Sequence, residues 1–200
     1  MDLTRRWPLP DAEELRDALV AAYDSEGRGY HDLTHLAEVL DRLDELAAAG
    51  QGFDDVPVRL AAWFHDGVYD GAAGAEARSA RWAEDALTDA GLPEAVVAEV
   101  VRLVLMTEAH APADDDRNGC ALSDADLAIL AAEPDRYAAY TAGVRREYAS
   151  VGDDDFRRGR AVVLADLAAK PALFHTAHAR RHWEGRARRN LARELAALRA

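Results

Sequence analysis

Apolar residues recur every three to four positions along nearly the whole chain, which is the spacing of one face of an α-helix. The first stripe predicts a helix that begins at a capping box formed by Asp11 and Glu14 and stops at Gly27. The third predicted helix begins near Pro57 and ends at Asp70-Gly71. We find no alternation typical of β-strands and no internal repeat, so the sequence predicts an all-α fold.

The remaining helices follow from the same periodicity and from the residues that end helices. Gly50 ends the second stripe, Pro93 opens the fifth helix, and Lys170-Pro171 separates the last helix from those before it. The acidic stretch 111–119 is predicted to be a loop. By number, further helices are predicted at 75–90, 93–105, 121–132, 135–149 and 156–169.

The length and composition suit one helical domain over residues 1–200, because half of the 200 residues are hydrophobic. The net charge of −13 opposes non-specific binding to nucleic acid, which needs a basic surface. The charge is uneven, since the segment from about 177 to the end carries seven Arg against two Glu. We interpret this segment as a basic C-terminal helix that covers an acidic body, with an RNA-binding tail as the alternative.

Several features favour a cytoplasmic protein without a membrane partner. No run approaches the roughly 20 apolar residues of a membrane span, and residues 1–10 lack the apolar stretch of a signal peptide. Cys120 is the single cysteine, which excludes a disulfide framework and a thiolate zinc cluster within one chain. An exposed face of such an alanine-rich helical domain could also form a homodimer.

Histidines and aspartates fall at positions where they can meet. If the second helix begins at Asp32, His35 lies in its first turn and His31 lies just outside it, on about the same side. His65 and Asp66 follow a strongly apolar segment, so we expect them to be buried between helices. A buried carboxylate must be hydrogen-bonded or bound to something, because an unpaired one is very costly.

Two further acids open the apolar segment that follows residue 121. Asp124 is interpreted as the N-cap of this helix, whereas Asp126 lies inside it and is the better candidate for a site. Two neutral imidazoles with two carboxylates form a hard-to-borderline ligand set for a divalent ion, namely Mn, Fe, Co, Ni, Mg or Zn. The residues alone therefore predict a metal site.

The order His … His-Asp … Asp on a helical chain resembles the HD-domain superfamily of metal-dependent phosphohydrolases. The resemblance is carried by the segments 30–36 (YHDLTHL), 62–70 (AWFHDGVYD) and 124–127 (DADL). Five further segments resemble a small bacterial branch of predicted HD phosphohydrolases: 76–80 (EARSA), 145–148 (RREY), 156–160 (FRRGR), 173–176 (LFHT) and 189–191 (RNL). One departure is Ala75, where that branch usually has Asn.

The resemblance implies a site and a reaction. His35, His65, Asp66 and Asp126 would bind the metal, and Asp66 would therefore belong to the catalytic centre. His31 would protonate the leaving oxygen. The implied reaction is hydrolysis of a phosphomonoester or phosphodiester in a small soluble substrate, such as a nucleotide. The implied catalytic set also includes His110, which would protonate the leaving oxygen, hold a second metal or contact phosphate.

Other readings remain open. A di-iron oxygenase of the same fold would need more histidines between His65 and Asp126 than the one present. A non-catalytic binding module of this fold would instead sense a nucleotide without turnover. Asp70 and Glu76 could orient metal-bound water or the metal ligands, or they could cap the helices that they flank. His178 and His182 are interpreted as surface residues, and the tyrosines at 137, 140 and 148 as a packing stripe. Phosphate contacts or surface ion pairs are expected for four arginines: Arg28, Arg78, Arg145 and Arg146.

Overall fold

The structure is a computed structural model that describes residues 3–199, and this part of the chain contains helices and no strand. The predicted all-α fold is confirmed. A short 3-10 helix at Thr4–Arg6 precedes the first α-helix, and another at Ala128–Ala131 follows the sixth. The α-helices are α1 (Glu13–Tyr23), α2 (Leu33–Ala48), α3 (Asp55–Phe64), α4 (Ala75–Asp89), α5 (Glu94–Met106), α6 (Arg117–Leu127), α7 (Pro134–Glu147), α8 (Asp153–Ala169), α9 (Ala177–His182) and α10 (Glu184–Arg199).

The core forms where α2, α3, α5 and α6 pack together. Helix α3 lies deepest, because every residue from Leu60 to Phe64 is buried. The ring of Trp63 meets that of Trp7 edge-on, with centroids 5.1 Å apart. Burial of this apolar segment brings the residues that follow it inward, so that His65 is buried and Asp66 is half-buried at the wall of a cleft. No described helix is both long and apolar enough to cross a membrane.

Helix α3 ends earlier than its apolar pattern predicts. The helix stops at Phe64, and the chain turns at once instead of continuing to residue 70. The guanidinium of Arg28 donates hydrogen bonds to the carbonyls of His31 at 2.7 Å, Asp66 at 2.8 Å and Gly67 at 3.0 Å. Carbonyls at a helix end need donors from elsewhere, and Arg28 supplies them. The same side chain joins the segment that carries His31 to the segment that carries Asp66.

Three other boundaries differ from the predictions. Helix α6 begins at Arg117, inside the predicted loop, because Asp116 caps it by accepting a hydrogen bond from the Gly119 N–H at 2.9 Å. Helix α1 has Ala12 at its N-cap and no side-chain capping bond, so the predicted capping box is wrong. The basic C-terminal segment divides at Trp183 into α9 and α10, and α10 packs against α8 and the 3-10 helix that follows α6.

A contact between two glycine backbones joins α7 to the turn that carries His31. A Cβ at Gly143 would lie 2.6 Å from the carbonyl oxygen of Gly29, and a Cβ at Gly29 would lie 2.2 Å from that of Gly143. We therefore expect Gly143→Ala to lower the free energy of unfolding by about 2 kcal/mol, because backbone must move to admit the methyl group. Chemical denaturation would measure this loss, with Gly159→Ala as the control because a Cβ there meets nothing within 4 Å.

Candidate metal centre

Two imidazoles and a carboxylate converge in the interior. The Nε2 atoms of His35 and His65 lie 3.0 Å apart, and Oδ1 of Asp126 lies 3.2 Å from the first and 3.7 Å from the second. Ligand atoms of these three side chains all lie within 4.8 Å of one another. Both histidines are buried, and Asp126 is mostly buried. This cluster can hold a metal ion.

Asp66 approaches the same point. Its Oδ2 lies 3.1 Å from Nε2 of His65 and 3.3 Å from Nε2 of His35. The four side chains predicted as ligands are thus brought together from three places in the chain. His35 comes from the first turn of α2, His65 and Asp66 follow α3, and Asp126 comes from the last turn of α6.

The geometry of the cluster fits a divalent cation. Donor atoms that share an ion at about 2.1 Å lie roughly 3.0–3.4 Å apart when they are neighbours in its coordination sphere. The His–His and His–Asp66 distances fall in that range. In addition, Nδ1 of His65 donates to the carbonyl of Ala62 at 2.7 Å, which leaves Nε2 free as the ligand atom. Such an outer hydrogen bond typically orients a metal-binding histidine.

The electrostatics of the cluster also favour a cation. Burial alone would lower the pKa of His35, but hydrogen bonds with Asp126 and Asp66 and the charge of both carboxylates raise that pKa to about 10. Burial opposes ionisation of Asp126, but the neighbouring histidines outweigh it and lower its pKa. Carboxylates that stay ionised beside imidazoles create a buried site that attracts positive charge.

The predicted local structure around His35 is confirmed. Asp32 is the N-cap of α2, and its Oδ1 accepts hydrogen bonds from the N–H groups of Thr34 at 2.8 Å and His35 at 3.2 Å. This cap satisfies two of the helix's free N–H groups and fixes the rotation of the first turn. His35 consequently faces the core, whereas His31 lies in the preceding turn and faces a cleft.

His31 is held by a residue that sequence reasoning missed. Its Nδ1 lies 2.8 Å from Oε2 of Glu147, and Oε1 of Glu147 accepts hydrogen bonds from the N–H groups of Gly29, Tyr30 and His31. Burial alone would raise the pKa of Glu147, but the bonds from His31 and the backbone lower it to about 2. Because an ionised carboxylate can only accept, Nδ1 carries the proton and Nε2 is left for the cleft. The imidazole also stacks on Tyr69, with centroids 4.0 Å apart.

His110 lies beside the cluster in a strained turn. Its φ of 47° is the one positive φ of a non-glycine residue in the described chain. Its Nδ1 lies 3.2 Å from Oγ of Ser123, its Nε2 lies 3.4 Å from Oδ2 of Asp126, and its carbonyl accepts a hydrogen bond from Nζ of Lys170 at 3.0 Å. Burial lowers the pKa of His110, so its imidazole tends to be neutral.

Asp124 has a different role from the one predicted. The N-cap interpretation is wrong, because α6 begins seven residues before it, at Arg117. The buried carboxylate of Asp124 instead accepts hydrogen bonds from the backbone N–H groups of His175 and Thr176, both at 2.7 Å. Asp124 therefore fastens α6 to the turn before α9, and both of its oxygens bond to that turn.

The four arginines predicted as phosphate partners do not line the cleft. Arg28 binds backbone carbonyls, Arg78 pairs with Asp70 at 2.6 Å, and both Arg145 and Arg146 donate to backbone carbonyls near α7. The predicted surface histidines pair elsewhere, since Nε2 of His178 lies 2.8 Å from Oε1 of Glu45 and its ring contacts that of His182.

The cluster lies on the wall of a cleft of about 840 Å³. Tyr30, 5% exposed, lines this cleft, and its hydroxyl has no hydrogen-bond partner among the described residues. Tyr137 and Tyr140 pack as predicted, with ring centroids 5.4 Å apart. The lining also includes residues that sequence reasoning did not select as site candidates: Tyr69, Glu108, Ile129, Arg160, Val163, Asp166 and Lys170.

Comparison of the chain with protein-family models, with curated proteins and with solved structures gives no significant match. The candidate site therefore stands on the residues and their geometry: a buried His35, His65 and Asp126 cluster that can hold a metal ion, joined by Asp66 and open to a cleft.

Proposed function

We propose that this protein is a metal-dependent phosphohydrolase of the HD superfamily. The observation that carries the proposal is the convergence of His35, His65, Asp66 and Asp126 at one point beside a cleft large enough for a small substrate. Two imidazoles and two carboxylates suit Mn, Fe, Co, Ni, Mg or Zn and leave coordination positions for other ligands. When bound, such an ion supplies Lewis acidity to an attacking water and to a phosphoryl oxygen.

The chain supplies the proton for the leaving group. His31 faces the cleft through Nε2, because Glu147 holds its Nδ1. A histidine in this tautomeric arrangement can protonate a leaving oxygen when Nε2 carries a second proton, and the ionised Glu147 stabilises that charged form. Stacking on Tyr69 restricts the rotation of the imidazole.

Replacement of Glu147 tests this arrangement. We expect Glu147→Gln to lower kcat by about 30-fold for an alkyl phosphate, since general acid catalysis contributes about 10²–10⁴-fold and His31 itself remains. For p-nitrophenyl phosphate the loss should be only about threefold, because its leaving group needs little protonation. Steady-state kinetics with both substrates measures the difference, and KM should change little.

A purely structural role of Glu147 predicts another outcome. Misfolding or a displaced turn would lower kcat equally for both leaving groups, and an equal loss would contradict the role given to His31. Glu133→Gln is a matched control, because Glu133 is an exposed carboxylate just before α7 that pairs with Arg186 on the surface.

The proposed substrates are small soluble phosphomonoesters or phosphodiesters, such as nucleotides, in the cytoplasm. The direct test is turnover of p-nitrophenyl phosphate, bis-p-nitrophenyl phosphate and a nucleotide panel by protein loaded separately with Mn, Fe, Co, Ni, Mg and Zn. Metal-dependent release of phosphate or of the alcohol supports the proposal. Bound metal without turnover of any member would contradict it, and tight nucleotide binding in that case would favour a sensing module.

A di-iron oxygenase is the second candidate, and His110 is the observation that favours it. Its Nε2 lies 3.4 Å from Oδ2 of Asp126, so the two could share a second ion. His110 is the only histidine between His65 and Asp126, however, which leaves a second iron poorly ligated. Oxygen consumption by iron-loaded protein would distinguish this activity from hydrolysis.

A further inference from the structure

Beyond the metal cluster, the cleft combines an apolar wall with an acidic rim. Side chains from the 3-10 helix and from α7 and α8 form the wall, namely Ile129, Leu130, Val144, Val163 and Leu167. Carboxylates surround it on α4, on α8 and in the segment after α5, namely Glu76, Glu108, Asp155 and Asp166. Glu108 and Asp166 are exposed, and within residues 3–199 neither forms a salt bridge.

The cationic side chains of the cleft are already bound to the protein. Arg160 donates to Glu194 at 2.8 Å and to the hydroxyl of Tyr140 at 2.7 Å. Lys170 donates to the carbonyls of His110 at 3.0 Å and Ala109 at 3.3 Å. Glu194 offsets the charge of Arg160, whereas Lys170 keeps its charge beside backbone carbonyls. The four carboxylates of the rim outnumber this one ammonium group, so the rim remains negative.

The one buried polar group of the cleft without a partner is neutral. The hydroxyl of Tyr30 lacks a hydrogen-bond partner in the described chain, and a phenol carries no charge at neutral pH. A single neutral donor beside the metal cluster suits one phosphoryl oxygen or one leaving-group oxygen. A chain of phosphates would need several cationic or N–H donors further along the cleft.

We infer that the substrate carries one phosphoryl group and an apolar organic part with no other negative charge. This inference rests on the proposed function, because it assigns the phosphoryl group to the metal cluster. A second phosphate or a carboxylate on the organic part would lie among Glu108, Asp166 and the apolar wall, where like charges repel it, most strongly at low salt. Nucleoside diphosphates and triphosphates are therefore poor substrates, and phosphomonoesters whose organic part is uncharged or carries an amine are good ones.

Binding of inert phosphonates tests the inference without turnover. Titration calorimetry of Mn-loaded protein would compare benzylphosphonate with its 4-carboxy and 4-aminomethyl derivatives. We expect the carboxylated compound to bind about tenfold more weakly than benzylphosphonate at low salt, with a smaller difference at about 0.5 M salt. The aminated compound should bind at least as tightly as benzylphosphonate. Equal or tighter binding of the carboxylated compound would overturn the inference.

A charge-neutralising pair of substitutions assigns the effect to the rim. In the double variant Glu108→Gln with Asp166→Asn, the penalty for the carboxylate should fall from about tenfold to about twofold. The matched control is Glu84→Gln with Asp85→Asn, which removes the same charge from exposed positions on α4 that do not line the cleft. An unchanged penalty in the rim variant, or an equal fall in the control, would overturn the assignment.

Turnover separates this inference from the proposed function. Adenosine 5′-monophosphate, diphosphate and triphosphate form a series in which only the phosphate number changes, and kcat/KM should fall at each step. Turnover that rises along the series would overturn the charge preference alone. The predicted order of phosphonate affinities, with no turnover of any ester, would overturn the hydrolase activity alone.

Discussion

The variant Asp126→Ala should lose metal-dependent phosphatase activity by on the order of a thousandfold while it keeps its fold. Asp126 is the ligand candidate that contacts His35, His65 and His110 together, so its removal opens one side of the cluster. We expect the free energy of unfolding to change by less than about 1 kcal/mol, because Asp66 still pairs with His35 and His65.

The measurements are kcat/KM for p-nitrophenyl phosphate in saturating metal and a denaturant titration of the same preparation. Asp126→Asn should be nearly as inactive, since a neutral amide is a poor substitute for a carboxylate ligand. Retention of more than a tenth of the wild-type activity with the fold intact would show that Asp126 is not a required ligand.

The second large effect concerns stability and comes from Asp124, two residues away. We expect Asp124→Ala to lower the free energy of unfolding by about 4 kcal/mol, since each hydrogen bond to a charged group contributes about 1.5–3 kcal/mol. The backbone N–H groups of His175 and Thr176 would both lose their acceptor, and Thr176 is buried. Equilibrium denaturation in urea would measure the loss.

Metal binding distinguishes the role of Asp124 from that of Asp126. Folded Asp124→Ala protein should bind the same amount of metal per chain as the wild type, because the carboxylate of Asp124 bonds to the turn before α9 rather than to the cluster. Asp124→Asn should lose about half as much stability, since its amide retains one acceptor oxygen. Loss of metal with unchanged stability would mean that Asp124, and not Asp126, is the ligand.

Local patterns in the sequence predicted the helices and the meeting of the ligands. The spacing of Asp32 and His35 identified a capped first turn, and the cap is present. The apolar run before His65 predicted a buried helix that would carry the HD pair inward, and that helix is buried. These features depend on neighbours within a few residues, which is the range over which periodicity and capping act.

Features that depend on distant partners could not be predicted in this way. Helix α3 ends at Phe64, and the carbonyls that follow accept hydrogen bonds from Arg28, which lies 38 residues from Asp66 in the sequence. Glu147 is 116 residues from His31. The sequence distinguishes the segment that contains Glu147 only through its resemblance to a family. No spacing rule joins such positions, since only the tertiary packing of α7 on the turn at Gly29 places them together.

The two acids of α6 illustrate the same limit. Both residues are aspartates, and they lie two positions apart in the sequence. Only the position of the helix start could therefore show which one is an N-cap and which one is a ligand inside the helix. The start was predicted too late because the acidic stretch before it has a loop-like composition. The cap at Asp116, bound to Arg102 on α5 as well as to Gly119, lies inside that stretch.

The most direct test of the metal site is the metal content of protein purified without chelator, beside the variant His65→Ala. We predict about one divalent ion per wild-type chain and none in the variant, with His178→Ala as a control that keeps the ion. His65 contributes Nε2 to the cluster, whereas His178 pairs with Glu45 outside it. Wild-type protein that holds no ion even after incubation with Mn or Ni would contradict the account.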